Sequence, residues 1–353
     1  MKKRIKVVSI VAEKKVTITE QDVPDILPDE VLIKVFACMI CTWEQRIFTR
    51  LMPVELPFAG GHEFSGVIEA IGKNVNPADF PVGARCAAMP LSICGICEPC
   101  RRGDTSNCIY GYDKIYIPGK NGFAEYILLD KKRVFIFPDD VPFERIMFLE
   151  PLSCIVSAHD KFRIEPGDDV AVLGAGVMGI LNGKLARLQG ARVIISDPDP
   201  QRRKKALDLG VCDFVIDPLA GDPAAQGREI IKAKGFNVVI NTAATAPAIT
   251  QGIGMLAPGG TFLMYGKVFP NEPVPIDINY IQNHSMRIAG TIDGDVRSFN
   301  RAQKILAHSI ICPEKMGLLT NSYDASECQK AFEEAIKPES FRVCIKFGLS
   351  SSP

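Results

Sequence analysis

Asp169-Val170-Ala171-Val172-Leu173 runs without a break into Gly174-Ala175-Gly176-Val177-Met178-Gly179. The first five residues read as a buried parallel strand, because an unbroken apolar run leaves no polar face for water. The spacing of Leu181, Leu185 and Leu188 then predicts a helix. Between the two, glycines permit a tight turn, close approach of a pyrophosphate and close packing of helix on strand, and the helix N-terminus offers N–H groups to phosphate. A lone G-x-G-x-x-G says little. Here the next strand, residues 192–196, ends at Asp197, about where a carboxylate grips the hydroxyls of a ribose. The expected cofactor residues are therefore Gly174, Gly176, Val177, Met178, Gly179 and Asp197; the competing reading is a chance glycine turn before a surface aspartate, which the whole strand–turn–helix–strand unit disfavours.

Asp197 also bears on which dinucleotide binds. A carboxylate attracts the two ribose hydroxyls of NAD and repels the 2'-phosphate of NADP, and Pro198 rather than Arg follows it, so NAD is expected. Arg202 and Arg203 leave a second possibility open. A basic side chain swinging back would neutralise a phosphate, with Arg202 the cofactor candidate; otherwise both lie on the solvated face of the next helix.

Outward from this unit the rhythm of the chain divides it. From about residue 153 strands alternate with helices, at 170–173, 193–196, 214–216, 238–241, 261–265 and 287–289, which indicates a doubly wound parallel sheet. Helix 200–209 ends at Gly210 ahead of strand 213–216. The first 150 residues instead alternate short β runs, such as 31–37 and 66–70, with Gly and Pro turns, as expected of a twisted, partly closed sheet. After about Asp295 come helical segments 299–306 and 328–336 and a last strand, 342–347. No repeat of solenoid period and no low-complexity segment interrupts this order.

Two sets of metal-ligand residues lie in the first part. Cys94, Cys97, Cys100 and Cys108 form a Cys-x2-Cys-x2-Cys-x7-Cys cluster among turn residues. Each x2 step reverses the backbone enough to aim successive sulfurs at one centre, which suits a closed tetrahedral zinc site that staples a lobe; the competing reading is disulfides or free thiols. A second constellation is Cys41 with Gly61-His62-Glu63 and, far along, Glu150. An open catalytic zinc needs about three protein ligands, and Cys41, His62 and either Glu63 or Glu150 would supply them. By itself a His-Glu pair is more often a surface or capping pair. The glycines around it, Gly60, Gly61, Gly66 and Gly72, bring backbone close to something compact.

Taken together, these residues resemble the zinc-dependent medium-chain dehydrogenases, the superfamily of alcohol, sorbitol and threonine dehydrogenases, over nearly the whole chain. Gly61-His62-Glu63-x2-Gly66-x5-Gly72 resembles the family's zinc signature and Cys94 to Cys108 its structural lobe; Gly122-Phe123-Ala124-Glu125-Tyr126 and Leu149-Glu150-Pro151-Leu152 look like further landmarks. The resemblance implies an α/β fold with a GroES-like β-rich catalytic domain, residues 1–152 and 295–353 with its zinc lobe at 94–108, and a Rossmann NAD-binding domain, residues 153–294. Ser340-Phe341-Arg342-Val343 resembles the segment from which a family arginine reaches the cofactor pyrophosphate, which gives Arg342 a cofactor role. The sorbitol dehydrogenase branch fits better than the simple alcohol branch, because Glu stands at both 63 and 150 and Cys154, one turn beyond, reads as core. The implied catalytic zinc is held by Cys41, His62 and Glu63 or Glu150, with the other carboxylate holding water at the open position.

One departure from the family pattern stands out. Where the family carries a relay hydroxyl and a relay His after the zinc cysteine, this chain reads Cys41-Thr42-Trp43-Glu44-Gln45-Arg46. Trp43 takes the hydroxyl's place and Arg46 the imidazole's, so Glu63, Glu150 or Thr42 must carry the substrate proton. Trp43 and Arg46 are also substrate candidates: an indole platform for a sugar ring or cyclitol, and a guanidinium for a phosphate or carboxylate. The plainer reading has Trp43 only packing and Arg46 only pairing with Glu44.

The implied reaction is oxidation of a secondary alcohol of a polyol, sugar alcohol or cyclitol to a ketone, with hydride passing to NAD. Oxidation of a 3-hydroxy amino acid in the manner of threonine dehydrogenase is one alternative; a non-catalytic descendant that binds NAD and zinc is another. With 41 basic and 41 acidic residues the net charge is zero, which gives no electrostatic case for nucleic acid or an anionic membrane as partner. The start, Met1-Lys2-Lys3-Arg4, looks like a charged leader, but Glu13, Lys14 and Lys15 interrupt the apolar stretch too early, and no run is long enough to span a bilayer. Cytoplasm is the expected compartment, and twelve Cys, five of them assigned to zinc, fit a reducing one. A small-molecule alcohol is the expected partner, together with a homodimer or homotetramer built for example through the presumed edge at residues 261–266.

Overall fold

Strand Asp169–Leu173 is buried at every position, as its unbroken apolar run requires. It belongs to one of two compact units in a computed structural model that describes residues 4–23, 25–111 and 121–348; the first residues of the charged start, 1–3, lie outside the described residues. The unit Ile155–Asp293 is built on a six-stranded, all-parallel sheet. Its order is Phe214–Ile216, Arg192–Ser196, Asp169–Leu173, Phe236–Asn241, Leu256–Met264 and Arg287–Gly290. The order runs outward in both directions from Asp169–Leu173, so the glycine loop after that strand lies at the switch point where open α/β sheets take their ligands.

Local chemistry starts the helices of this unit. Asp199 and Asp222 accept backbone N–H groups at the heads of Pro200–Asp208 and Pro223–Ile231, with proline at the first helical position of each. Asp277 does the same for Ile278–Asn283. Behind the sheet, Ala171, Leu173, Val239 and Phe262 pack with Ile249 and Ile253 of helix Ala246–Met255.

The presumed edge at residues 261–266 is corrected by this sheet. Leu256–Met264 is an interior strand, paired on one side with Phe236–Asn241 and on the other with Arg287–Gly290, which is the edge. The sequence concealed this because Arg287–Gly290 is only four residues long and carries an exposed Arg at its head.

The other unit joins the residues up to Cys154 with those from Gly294 onward. Its sheet has the order Leu319–Asp324, Arg342–Lys346, Glu30–Met39, Glu63–Ile71, Arg85–Ala88 and Val134–Phe137, and Tyr126–Asp130 also pairs with Glu30–Met39. The strand Arg342–Lys346, far along the chain, thus lies directly beside Glu30–Met39, antiparallel to it. Ile33, Val35, Phe48, Phe64, Phe123, Phe332 and Val343 fill the core. Among the described residues no helix is long and apolar enough to cross a membrane.

Candidate active site

The buried strand Glu30–Met39 delivers the chain to Cys41, which caps helix Thr42–Phe48. The Cys41 sulfur faces the amide of Glu44, and the Glu44 carboxylate accepts the Cys41 N–H at 3.2 Å, a capping box with a thiol in place of a hydroxyl. The same fully buried carboxylate accepts the Gly61 N–H and meets His62 Nδ1, each at 3.0 Å. An ionised carboxylate only accepts, so Nδ1 carries the proton and Nε2 is the nitrogen turned to Cys41. This approach needs a bare backbone: Gly61 has φ +96°, and a Cβ there would stand 2.5 Å from the Phe123 nitrogen.

The charges of this group are coupled. Burial resists charge on His62, but the Glu44 carboxylate and the Cys41 sulfur lift its pKa well above the ordinary imidazole value. Burial raises the Cys41 thiol, with Glu63 adding to the rise, while Arg342 and His62 oppose it. Burial likewise opposes charge on Glu44, yet His62 and the Gly61 amide draw its pKa below the usual value.

Glu63, 1% exposed, opens strand Glu63–Ile71, and Arg342 opens Arg342–Lys346 two strands away. Their side chains meet beyond the end of Glu30–Met39: Arg342 Nε donates to Glu63 Oε2 at 2.8 Å and its Nη2 to Oε1 at 2.7 Å. This is a buried fork-to-fork pair, and Arg342 Nη2 also lies 3.8 Å from Cys41 Sγ. The resemblance assigned Arg342 to a pyrophosphate; its guanidinium is seated on Glu63.

Donor atoms of Cys41, His62 and Glu63 lie within 4.8 Å of one another. A thiolate, an imidazole oriented by a second-layer carboxylate, and a carboxylate converging in this way fit zinc. Glu150 is buried but is not one of the three; its Oε1 accepts the Cys154 thiol at 3.2 Å. Cys154 is therefore not the plain core residue expected of it. Trp43 is half-buried against the core, Thr42 is exposed, and Arg46 is half-buried, its pKa lowered by burial and drawn back by the Cys41 sulfur.

The four-cysteine lobe also gathers. Its sulfurs lie within 4.8 Å of one another, Cys94 to Cys100 at 3.9 Å and Cys97 to Cys108 at 4.0 Å, and all twelve cysteines are free, so disulfides do not explain the cluster. The amides of Ile96 and Cys97 point at Cys94 Sγ and pull its pKa down to about 6. A thiolate held ready by backbone N–H groups fits a structural zinc. Thr105 Oγ1 accepts the Val296 N–H and so ties the lobe to helix Val296–Ala307.

In the unit Ile155–Asp293, helix Val177–Leu188 starts at Gly176 with no side-chain cap, whereas its neighbours use aspartate. A helix N-terminus without a side-chain cap suits an anion. A Cβ on Gly179 would stand 1.8 Å from the Gly174 carbonyl oxygen, so this turn admits only glycine. Asp197, 5% exposed, accepts the Ala175 N–H at 2.7 Å and the Asp199 N–H at 2.8 Å, which fixes its carboxylate against the loop. Val177 is buried and Met178 half-buried in the helix's first turn. Arg203 is taken up by the Asp197 carbonyl and Asp217; Arg202 lies against the loop, its Nη1 3.7 Å from where a Gly176 Cβ would be. This open cradle fits a dinucleotide phosphate.

Sequence reasoning passed over Glu44, whose signal was the three-residue step from Cys41 that marks a capping box. It also passed over the thiol on Glu150, one helical turn away on the same face.

Comparison with known proteins agrees with this arrangement. The family model "Alcohol dehydrogenase GroES-like domain" matches residues 27–139, and "Zinc-binding dehydrogenase" matches residues 177–308. Sorbitol dehydrogenase of Bacillus subtilis is 30% identical over 339 residues, 94% of each chain. L-threonine 3-dehydrogenase of Caldanaerobacter subterraneus is 32% identical over 93% of this chain and 94% of its own. A zinc-binding dehydrogenase from Sinorhizobium meliloti, solved with NADP bound, superposes with a TM-score of 0.87 at 28% identity, covering 98% of this chain and 99% of that one. Its curated relatives, its fold and its two gathered donor sets place the chain in the zinc-dependent medium-chain dehydrogenase superfamily, in the part that holds the sorbitol and threonine dehydrogenases.

Proposed function

We propose that this enzyme oxidises a secondary alcohol of a polyol, sugar alcohol or cyclitol to a ketone with NAD as hydride acceptor. The observation that carries the reading is the convergence of Cys41, His62 and Glu63, braced by Glu44 and carrying carboxylates where the polyol-type resemblance expects them. Zinc, when bound, supplies a Lewis acid that stabilises negative charge developing on the substrate oxygen. Cys41 and His62 would hold it, with Glu63, gathered beside them, or Glu150 as the third donor. Both oxygens of Glu63 are committed to Arg342, which makes this carboxylate the poorer third donor. Nδ1–H of His62 stays on Glu44 and takes no part in proton exchange.

With the relay hydroxyl replaced by Trp43, the exposed Thr42 hydroxyl at the head of the same helix passes the substrate proton to water. Thr42→Val is expected to lower kcat about tenfold, within the usual contribution of a positioned proton carrier. A variant with wild-type kcat removes Thr42 from this role.

NAD is favoured because the Asp197 carboxylate, fixed beside the glycine loop, would repel a 2'-phosphate. The position of Arg202 supports some tolerance of NADP. The test is reduced-cofactor formation by zinc-replete protein across sugar alcohols, cyclitols, their phosphates and 3-hydroxy amino acids, with NAD and NADP in parallel. A polyol should react with NAD in preference, and Asp197→Ala should narrow the gap between the cofactors. Turnover confined to 3-hydroxy amino acids transfers the reading to the threonine type. Silence with zinc and NAD bound favours a descendant that binds both without catalysis.

A further inference from the structure

Arg133 is 7% exposed, yet among the described residues it forms no ion pair. Its Nε donates to the Met89 carbonyl at 2.9 Å and its Nη2 to the Pro90 carbonyl, both of them neutral acceptors. Two carbonyls satisfy N–H groups but leave the charge itself uncompensated, which is costly inside a protein. Burial pushes the guanidinium down to about 10, with Asp130 drawing it back, so it stays charged at neutral pH. Nη1 brings two further N–H groups that need an acceptor.

This side chain lines a cavity of about 400 Å³ in the unit that holds Glu30–Met39, together with Ser92, Lys132, Asp130, Asp29 and Glu30. The volume is that of a small-molecule site. Its walls carry both signs of charge. Asp29 Oδ1 takes Lys131 Nζ at 3.0 Å and Asp130 Oδ1 takes the Lys132 N–H at 2.8 Å, but an ionised carboxylate has about four acceptor positions. A simple anion drawn to Arg133 would meet three carboxylates, and a simple cation drawn to those would meet Arg133 and Lys132. A molecule with one charge of each sign satisfies both walls. We propose that the cavity binds a small zwitterion, its carboxylate on Nη1 of Arg133 and its ammonium group among Asp29, Glu30 and Asp130. The site shares no residue with either gathered donor set or with the glycine loop, so the proposal stands whatever alcohol the enzyme oxidises.

The test titrates full-length, zinc-replete protein with glycine, β-alanine and 4-aminobutyrate, none of which carries a hydroxyl to oxidise. Propionate, propylamine and inorganic phosphate are the controls that carry charge of one sign. Binding is read by calorimetry and by ligand-detected NMR. At least one zwitterion should bind with a Kd of about 1 mM or tighter, and roughly tenfold more tightly than any control. Arg133→Met should weaken that binding ~10- to 100-fold, the range set by a hydrogen bond to a charged group. Arg133 also fastens the Met89 and Pro90 carbonyls, so a second variant is needed in case this one does not fold. Ser92→Phe puts bulk into the cavity lining, keeps Arg133, and should abolish binding.

No binding of any zwitterion by either method would overturn the proposal. Phosphate or propionate binding as tightly as the best zwitterion would also overturn it, by making the carboxylates bystanders. Wild-type affinity in Ser92→Phe, or in a folded Arg133→Met, would overturn it by placing the bound zwitterion elsewhere on the protein.

Discussion

Arg342→Met is expected to destabilise the protein by about 3–5 kcal/mol, the usual cost of removing one member of a buried ion pair. Both partners are almost wholly inaccessible to water, and the guanidinium satisfies both Glu63 oxygens at once. Burial works against charge on Arg342, but Glu63 and Cys41 together hold it firmly protonated. Without it, Glu63 is left as a bare buried charge. Urea unfolding measures the loss; a variant as stable as wild type would show that the pair contributes nothing net. The double variant Glu63→Gln with Arg342→Met should regain much of the lost stability, since neither charge is then stranded.

Glu44→Ala should loosen the catalytic metal by ~10- to 100-fold, with kcat falling in parallel as sites empty. One carboxylate serves three donors, the amides of Cys41 and Gly61 and His62 Nδ1, and alanine abandons all three inside the protein. The imidazole then loses both its tautomer and its orientation, and the helix that starts at Cys41 loses the reciprocal half of its cap, worth about 1 kcal/mol. Equilibrium dialysis against a zinc buffer is the direct measurement. Glu44→Gln keeps an acceptor oxygen and should lie between wild type and alanine. Full metal occupancy in Glu44→Ala would mean that His62 is oriented by its backbone alone.

What was legible in the sequence was local. The glycine loop follows its strand and opens its helix within eleven residues, and the four cysteines of the lobe fall within fifteen, so spacing alone brings them together. Cys41, His62, Glu63 and Glu150 stood out only weakly, from donor type and the glycines around His62, until the resemblance was added, because no periodicity distinguishes a ligand from a buried polar residue. The pairing of Glu63 with Arg342 was invisible. It depends on a strand returning 279 residues later to lie beside Glu30–Met39, and nothing in either segment announces its neighbour. Glu44 was hidden for the opposite reason. In Thr42-Trp43-Glu44-Gln45-Arg46 a glutamate looks like the solvated face of a short helix, and only the tertiary approach of Gly60-Gly61 buries it. The edge strand was misplaced because apolar content, which is high in 261–264 and low in 287–290, marks how deep a strand lies and not where its sheet ends.

The order of strands in the discontinuous unit sets a timetable for biosynthesis. Glu63 leaves the ribosome early, but the strand that carries its partner follows only after all of residues 155–293 have been made. Until then the nascent sheet presents an open edge at Glu30–Met39 and an unneutralised carboxylate beside the cysteine and histidine. The intervening parallel-sheet unit has its whole sequence available sooner and is free to fold first. The catalytic centre accordingly gains the arginine that neutralises Glu63 only late in synthesis, whereas the four-cysteine lobe is contained in one short segment and has all its sulfurs together early.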